Sequence, residues 1–96
     1  MAAYVIAEIE VTDAAAYEEY RKRVPATIEQ YGGKYLVRGG ATETKEGGWA
    51  PARLAVLEFP SMAQARRWYD SPEYAPARAI RQRASKSKLI FAEGLG

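Results

Sequence analysis

The sequence contains neither cysteine nor histidine in its 96 residues. Without cysteine there is no disulfide, no thiolate nucleophile and no cysteine metal site. The additional lack of histidine excludes Ser-His-Asp and Cys-His catalysis, imidazole ligation of haem and most zinc sites. No D-x-D-x-D-G calcium loop is present either. The available chemistry is that of carboxylates, Tyr, Lys and Arg, and the sequence predicts no metal and no cofactor.

Long apolar runs are also absent, since none approaches the roughly 20 residues of a membrane span. The N-terminus lacks the basic and apolar regions of a signal peptide. The apolar fraction of 48% and the charged fraction of 27% are globular. A net charge of +2 is too small to steer a polyanion strongly. We therefore expect one cytoplasmic domain over residues 1–96, without a membrane partner.

Hydrophobic periodicity and turn residues divide the chain into four strands and three helices. Pro25 lies inside the first helical pattern, so a kink or a restart of the helix is expected near Val24. Gly32 and Gly33 end that helix. The predicted strands cover residues 3–11, 34–38, 53–59 and 87–92, and the helices 13–31, 61–69 and 71–84.

This order of elements predicts an α+β fold, a ferredoxin-like βαββαβ sandwich. Its four-stranded sheet contains antiparallel pairs and carries the helices on one face. The uncovered face would contain Ile6, Leu54 and Val56, and a monomer rarely leaves such a patch in water. We therefore expect a homodimer in which two sheets pack face to face around a two-fold axis.

Charged residues of three strands are predicted to share this open face. Alternation places Glu8 and Glu58 there, and Arg38 as well, because burying its charge under the helices is costly unless it is paired. With the first and third strands taken as parallel neighbours, both carboxylates lie near one end of the sheet. Neighbouring carboxylates repel each other's ionisation, which suits one of them to general acid or base catalysis. Solvated or salt-bridged rim residues are the alternative interpretation.

The candidate ligand contacts are predicted at the other end. Arg38 and Arg53 lie there beside a long glycine-bounded loop, and a guanidinium suits a carboxylate or a phosphate. For Arg38, an ion pair at the dimer interface is the alternative. Trp49 in the loop is a candidate lid or dimer anchor. Tyr69 and Tyr74 are interpreted mainly as packing residues, with a hydroxyl that lines a site as the alternative.

The basic last third of the chain raises the question of RNA binding. RNA-binding domains of this strand order display stacking aromatic residues on the open strands. The third strand here displays Leu54, Val56 and Glu58 instead. The arginines, Arg81 among them, are therefore interpreted as a solvated helix face.

Four motifs identify a family resemblance: the G-G-x-Y-x-x-R-G-G strand, E-G-x-W at Glu46 to Trp49, L-E-F-P-S at Leu57 to Ser61, and S-P-E-Y at Ser71 to Tyr74. Together they resemble the domain of unknown function family numbered 1330. The resemblance implies a dimeric α+β barrel and no established activity. The architecture is similar to small cofactor-free monooxygenases and muconolactone-isomerase-like enzymes, whose sites lie between helices and sheet or in the barrel. Haem-degrading relatives commonly use histidine, which this chain lacks.

The hypothesis from sequence is a homodimer that binds a small polar or anionic organic molecule. Arg38 would orient the anion, Glu8 and Glu58 would move protons without a cofactor, and Trp49 would close the site. Whether the protein is an enzyme is left open. The alternatives are a non-catalytic binding or structural dimer and, third, an RNA-binding protein.

Overall fold

The computed structural model describes all 96 residues. Its sheet has the order β2-β3-β1-β4, and all three neighbouring strand pairs are antiparallel. The ferredoxin-like α+β prediction is confirmed. No helix combines the length and the apolar character that crossing a membrane requires. The elements are β1 Ala3–Val11, α1 Ala14–Gln30, β2 Lys34–Arg38, β3 Leu54–Phe59, α2 Met62–Tyr69, α3 Ala75–Ala84 and β4 Ser85–Glu93.

The helix ends follow the local signals in the sequence. Asp13 caps α1, with its carboxylate accepting from the backbone N–H of Ala16 at 3.1 Å. The helix is continuous over 17 residues, so the restart predicted near Val24 does not occur. Gly32 follows it with φ of 79°.

The boundary before α3 differs from the prediction. The third helix is predicted over residues 71–84, but α3 begins at Ala75. The Ser71 hydroxyl donates to the carbonyl of Trp68 and accepts from the N–H of Tyr74, at 2.8 and 3.0 Å. These two bonds stabilise a separate turn, which delays the helix by one turn.

The core lies between the helices and one face of the sheet. Alternate residues of β1, from Ala3 to Ile9, are buried against it. Trp68 is 1% exposed, and its ring centroid is 4.1 Å from that of Tyr74. The indole N–H donates to the Thr27 hydroxyl at 3.1 Å, which joins α2 to α1. Tyr74 is completely buried, which agrees with its interpretation as a packing residue.

The pairing of β1 with β3 corrects the expected position of the two carboxylates. The strands are antiparallel, with Glu58 opposite Tyr4 and Glu8 opposite Leu54. The crossover through α1 makes β2 run parallel to β1. The β2-β3 connection then reverses the chain, so β3 runs antiparallel to both. Glu8 and Glu58 therefore lie roughly 13 Å apart along the strand direction, at four residues of about 3.3 Å each.

A β-bulge in β2 corrects the predicted orientation of Arg38. Tyr35 pairs with Leu57, but Val37 pairs with Val56, so β2 contains one extra residue. After the bulge Arg38 is opposite Ala55, whose side chain faces the helices. Arg38 therefore lies on the helix side of the sheet, and its predicted position on the open face is wrong.

The open face of the sheet is apolar at its centre. Ile6, Leu54 and Val56 lie there as predicted and are partly exposed. Leu36 in the bulge is 49% exposed, and Ile90 in β4 is 60% exposed. In the isolated chain, the side of the sheet opposite the helices therefore presents apolar side chains to water.

Candidate anion-binding cavity

A cavity of about 30 Å³ lies between the helices and the sheet. Its floor contains Ala7 and Ala55, which pair across β1 and β3 and whose methyl groups leave the space unfilled. We call it the helix-side cavity. Its lining residues are Val5, Ala7, Ile9, Tyr17, Tyr20, Arg21, Val24, Tyr35, Arg38, Arg53, Ala55, Leu57, Trp68, Arg81 and Leu89.

Three tyrosines, Tyr17, Tyr20 and Tyr35, are among the residues that line the cavity. Burial raises the pKa of Tyr35 to about 12. Burial, together with the neighbouring Tyr74 hydroxyl, raises the pKa of Tyr20 still further. The Tyr20 and Tyr74 hydroxyl oxygens are 3.0 Å apart. Both shifted phenols are therefore protonated at neutral pH and can donate hydrogen bonds.

Arg38 spans from β2 to α1. Its Cζ lies 4.8 Å from the ring centroid of Tyr35, and its Nη2 donates to the carbonyl oxygen of Arg21 at 2.9 Å. In a regular helix that carbonyl would accept from the N–H of the residue four positions later. That residue is Pro25, which has no N–H, so the proline leaves an acceptor that Arg38 uses.

Arg53, just before β3, lies at the rim of the cavity. Its Cζ is 5.6 Å from the ring centroid of Tyr17, and its backbone carbonyl accepts from the N–H of Ile9 at 2.8 Å. Gly39 makes room for this side chain, because a Cβ at Gly39 would overlap the Arg53 guanidinium. The φ of +69° at Gly39 also favours glycine. The glycine after Arg38 thus allows Arg53 to reach the cavity.

Arg81 is 3% exposed, which makes the prediction that it belongs to a solvated helix face wrong. Its Nη1 donates to the Ser87 hydroxyl at 2.6 Å, and its Nε donates to the Tyr74 hydroxyl at 3.4 Å. Both partners are neutral, and Arg81 takes part in no salt bridge. Arg81 follows Ala77 by four residues and precedes Ala84 by three, so all three lie on the buried face of α3. This helical spacing is a signal that could have been used to predict the burial of Arg81 from the sequence.

The charges around the cavity do not balance. Four arginines line it, and no Asp or Glu does. Only Arg21 has an acidic partner, Glu18, at 3.0 Å, and its buried Nε has no hydrogen bond. The cavity is therefore an apolar, tyrosine-walled space with excess positive charge.

The remaining predicted site residues lie elsewhere. The Trp49 indole N–H donates to the carboxylate of Glu8 at 2.6 Å, so these two meet at the open face. Glu58 instead pairs with Lys34 at 3.3 Å. Tyr69 packs outside the cavity, with its ring centroid 5.8 Å from that of Phe91.

Of the predicted ligand contacts, the structure thus brings Arg38 and Arg53 together in the helix-side cavity. Tyr74 lies one layer behind it, through its contacts with Tyr20 and Arg81. No group of three or more acidic residues could hold a metal ion. The cavity residues that sequence reasoning missed are Tyr17, Tyr20, Arg21, Tyr35 and Arg81.

The chain belongs to the family described as domain of unknown function DUF1330, whose model matches residues 2–95. A search of curated proteins finds no match to the sequence.

Several solved structures are similar. A protein of unknown function from Rhodopseudomonas palustris is 21% identical with a TM-score of 0.75, covering 99% of this chain and 83% of that one. The cofactor-independent oxygenase SnoaB from Streptomyces nogalater is 14% identical with a TM-score of 0.70, covering 99% and 94%. A dimeric protein of unknown function with a ferredoxin-like fold from Bacteroides fragilis is 12% identical with a TM-score of 0.61, covering 97% and 96%. These similarities show the fold.

Proposed function

We propose that this member of the DUF1330 family binds a small organic anion in the helix-side cavity. The observation that carries the proposal is the lining of four arginines without a carboxylate. A buried charge is costly unless it is paired, and Arg81 has only neutral partners. A bound anion would supply the missing counterion. Its apolar part would contact the tyrosine rings and the floor of alanines.

The site residues suggest how such a ligand is held. A guanidinium can bind a carboxylate with two parallel hydrogen bonds, and these are stronger than bonds between neutral groups. The volume of about 30 Å³ holds little more than water. A larger ligand would enter by displacing the Arg53 guanidinium from the face of Tyr17. The aromatic part of the ligand would then stack where the cation lies now.

The lining also defines what the protein can do to the ligand. It contains no carboxylate and no imidazole, so it offers positive charge and hydrogen bonds instead of a general base. It would stabilise the anionic form of the ligand. Proton transfer by Glu8 or Glu58 stays a prediction, and the two would have to act apart in one protomer. One structural neighbour is named a cofactor-independent oxygenase, so cofactor-free chemistry is compatible with the fold.

We infer further that two copies associate through the open sheet face. Ile90 and Leu36 are 60% and 49% exposed there, and one structural neighbour is a dimer with this fold. Covering the patch with a second sheet removes it from water. The sequence-based alternative, a purely structural dimer, uses the same interface without a ligand. Light scattering should give twice the 10.6 kDa chain mass, and Ile90→Glu should give the monomer mass.

Binding can be tested with naphthoate and its uncharged analogue naphthamide by isothermal titration. We expect naphthoate to bind about tenfold or more tightly than the amide, because a charge-assisted bond contributes about 1.5–3 kcal/mol. Arg53→Gln should reduce naphthoate affinity by a similar factor. Arg83→Gln, which changes an exposed arginine of α3, is the matched control. Equal affinity for acid and amide, or equal effects of both substitutions, would contradict the proposal.

A further inference from the structure

The unpaired arginines of the helix-side cavity lie at two separate places. Arg38 and Arg53 belong to the β2-β3 side, and we call them the outer pair. Arg81 binds Ser87 of β4 on the other side, and we call it the inner arginine. This separation restricts the kind of anion that could satisfy all three.

Ile9 of β1 lies between these two places. On one side its N–H donates to the carbonyl of Arg53, and on the other side it is paired with Ser87. Arg53 and Ser87, the partner of the inner arginine, are therefore two strand spacings apart, roughly 9–10 Å, and Arg38 in β2 is anchored one strand farther out. Between them the floor is Ala7, Ala55 and Ile9, and the walls are aromatic.

We propose that the cavity selects a flat aromatic dianion with an acidic group at each end. One group would bind the outer pair, the other would bind the inner arginine, and the ring would lie over β1. This inference deepens the proposed function and rests on it. A single anionic group at the outer pair would leave the inner arginine buried beside neutral oxygens only. A dianion would provide a counterion for the outer pair and another for the inner arginine.

The alternative role of Arg81 is structural, because its bond to Ser87 connects α3 with β4. The two roles predict different results for Arg81→Met, which keeps a long side chain and removes the charge. If the inner arginine binds ligand, the variant keeps or gains stability, because it loses a buried charge without a carboxylate partner. If the residue is only structural, the variant loses stability and its ligand preference does not change.

The test compares terephthalate with its monomethyl ester, which keeps the ring and both carbonyl groups, adds one methyl group and has one charge less. With the wild-type protein we expect terephthalate to bind about tenfold or more tightly by isothermal titration. Arg81→Met should abolish this preference, so that terephthalate binds no more tightly than the ester. Arg81→Lys keeps the charge and should retain part of the preference. It also serves as the readout should Arg81→Met fail to fold.

The failures of the two proposals are distinguishable. If both compounds bind equally well to the wild type, or if Arg81→Met and Arg81→Lys keep the full preference, the dianion proposal is overturned and anion binding stands. If neither terephthalate nor its ester nor naphthoate binds, the anion site itself is refuted.

Discussion

Pro25 and Arg38 are predicted to be energetically coupled, although they belong to different elements. The Arg38 guanidinium donates to the Arg21 carbonyl, which lacks its helical partner because residue 25 is proline. Pro25→Ala supplies an N–H that competes for this carbonyl. The substitution should therefore strengthen α1 and weaken the attachment of Arg38.

The magnitude follows from three contributions. Alanine is about 3 kcal/mol more favourable than proline inside a helix. Proline also restricts the unfolded chain, and the loss of this restriction reduces the gain in stability by about 0.4–1 kcal/mol. Weakening the exposed Arg38 bond offsets roughly 0.5–1 kcal/mol more. We expect a net gain of about 1–2 kcal/mol in the free energy of unfolding, and an increase in Tm of about 4–8 °C per kcal/mol.

A double-mutant cycle measured by urea unfolding checks the reasoning. Arg38→Gln should cost about 0.5–1 kcal/mol with Pro25 present and close to nothing with Pro25→Ala. In the same variants, naphthoate affinity should fall for Pro25→Ala even though stability rises. An equal cost of Arg38→Gln in both backgrounds would show that the proline does not create the acceptor, and the argument would fail.

Three further predictions concern stability in urea. Thr27→Val leaves the buried indole N–H of α2 without its acceptor and should cost about 1–3 kcal/mol. Gly33→Ala should cost about 1–3 kcal/mol, since its Cβ would lie 2.5 Å from the Phe59 ring, whereas Gly40→Ala, with nothing within 4 Å, should be nearly neutral. Because burial raises the pKa of Tyr35 to about 12, the folded state keeps a proton that the unfolded chain loses above about pH 10. Stability should therefore fall between pH 10 and 12, and less steeply in Tyr35→Phe; an unchanged slope would contradict the burial argument.

The sequence predicted the fold because its signals are local and repeated. Strand alternation in β1, the helix starts expected near residues 13 and 61 and the glycine end at Gly32 each specify a short segment, and the structure contains all of them. The order of elements then leaves few topologies. The first and third strands were wrongly taken as parallel. They are antiparallel, because the β2-β3 connection reverses the chain after the helical crossover.

The cavity was harder to predict because it depends on exceptions to these patterns. Arg38 was assigned to the open face because burying its charge is costly, but the extra residue in β2 places it on the helix side, where the Arg21 carbonyl accepts its hydrogen bond. Arg81 was grouped with exposed arginines by composition, although its helical position is that of Ala77 and Ala84. The partnership of Arg38 with the Arg21 carbonyl depends on a tertiary contact that no local pattern specifies.

The bulge in β2 determines which side chains of this short strand face the helices and which face the open side, because it shifts the pairing with β3 by one residue. Lys34 and Val37 belong to the open face, and Tyr35 and Arg38 belong to the helix side. Deletion of Leu36 would leave both following residues on their present sides, since Val37 would still pair with Val56 and Arg38 with Ala55. If all five residues instead paired without the bulge, Leu36 would lie opposite Val56, and the two residues that follow would exchange sides. Val37 would then enter the cavity and Arg38 would reach the proposed interface. A shift of one residue in register, without any change in the sequence, would thus move the charge of Arg38 from the proposed anion site to the proposed interface.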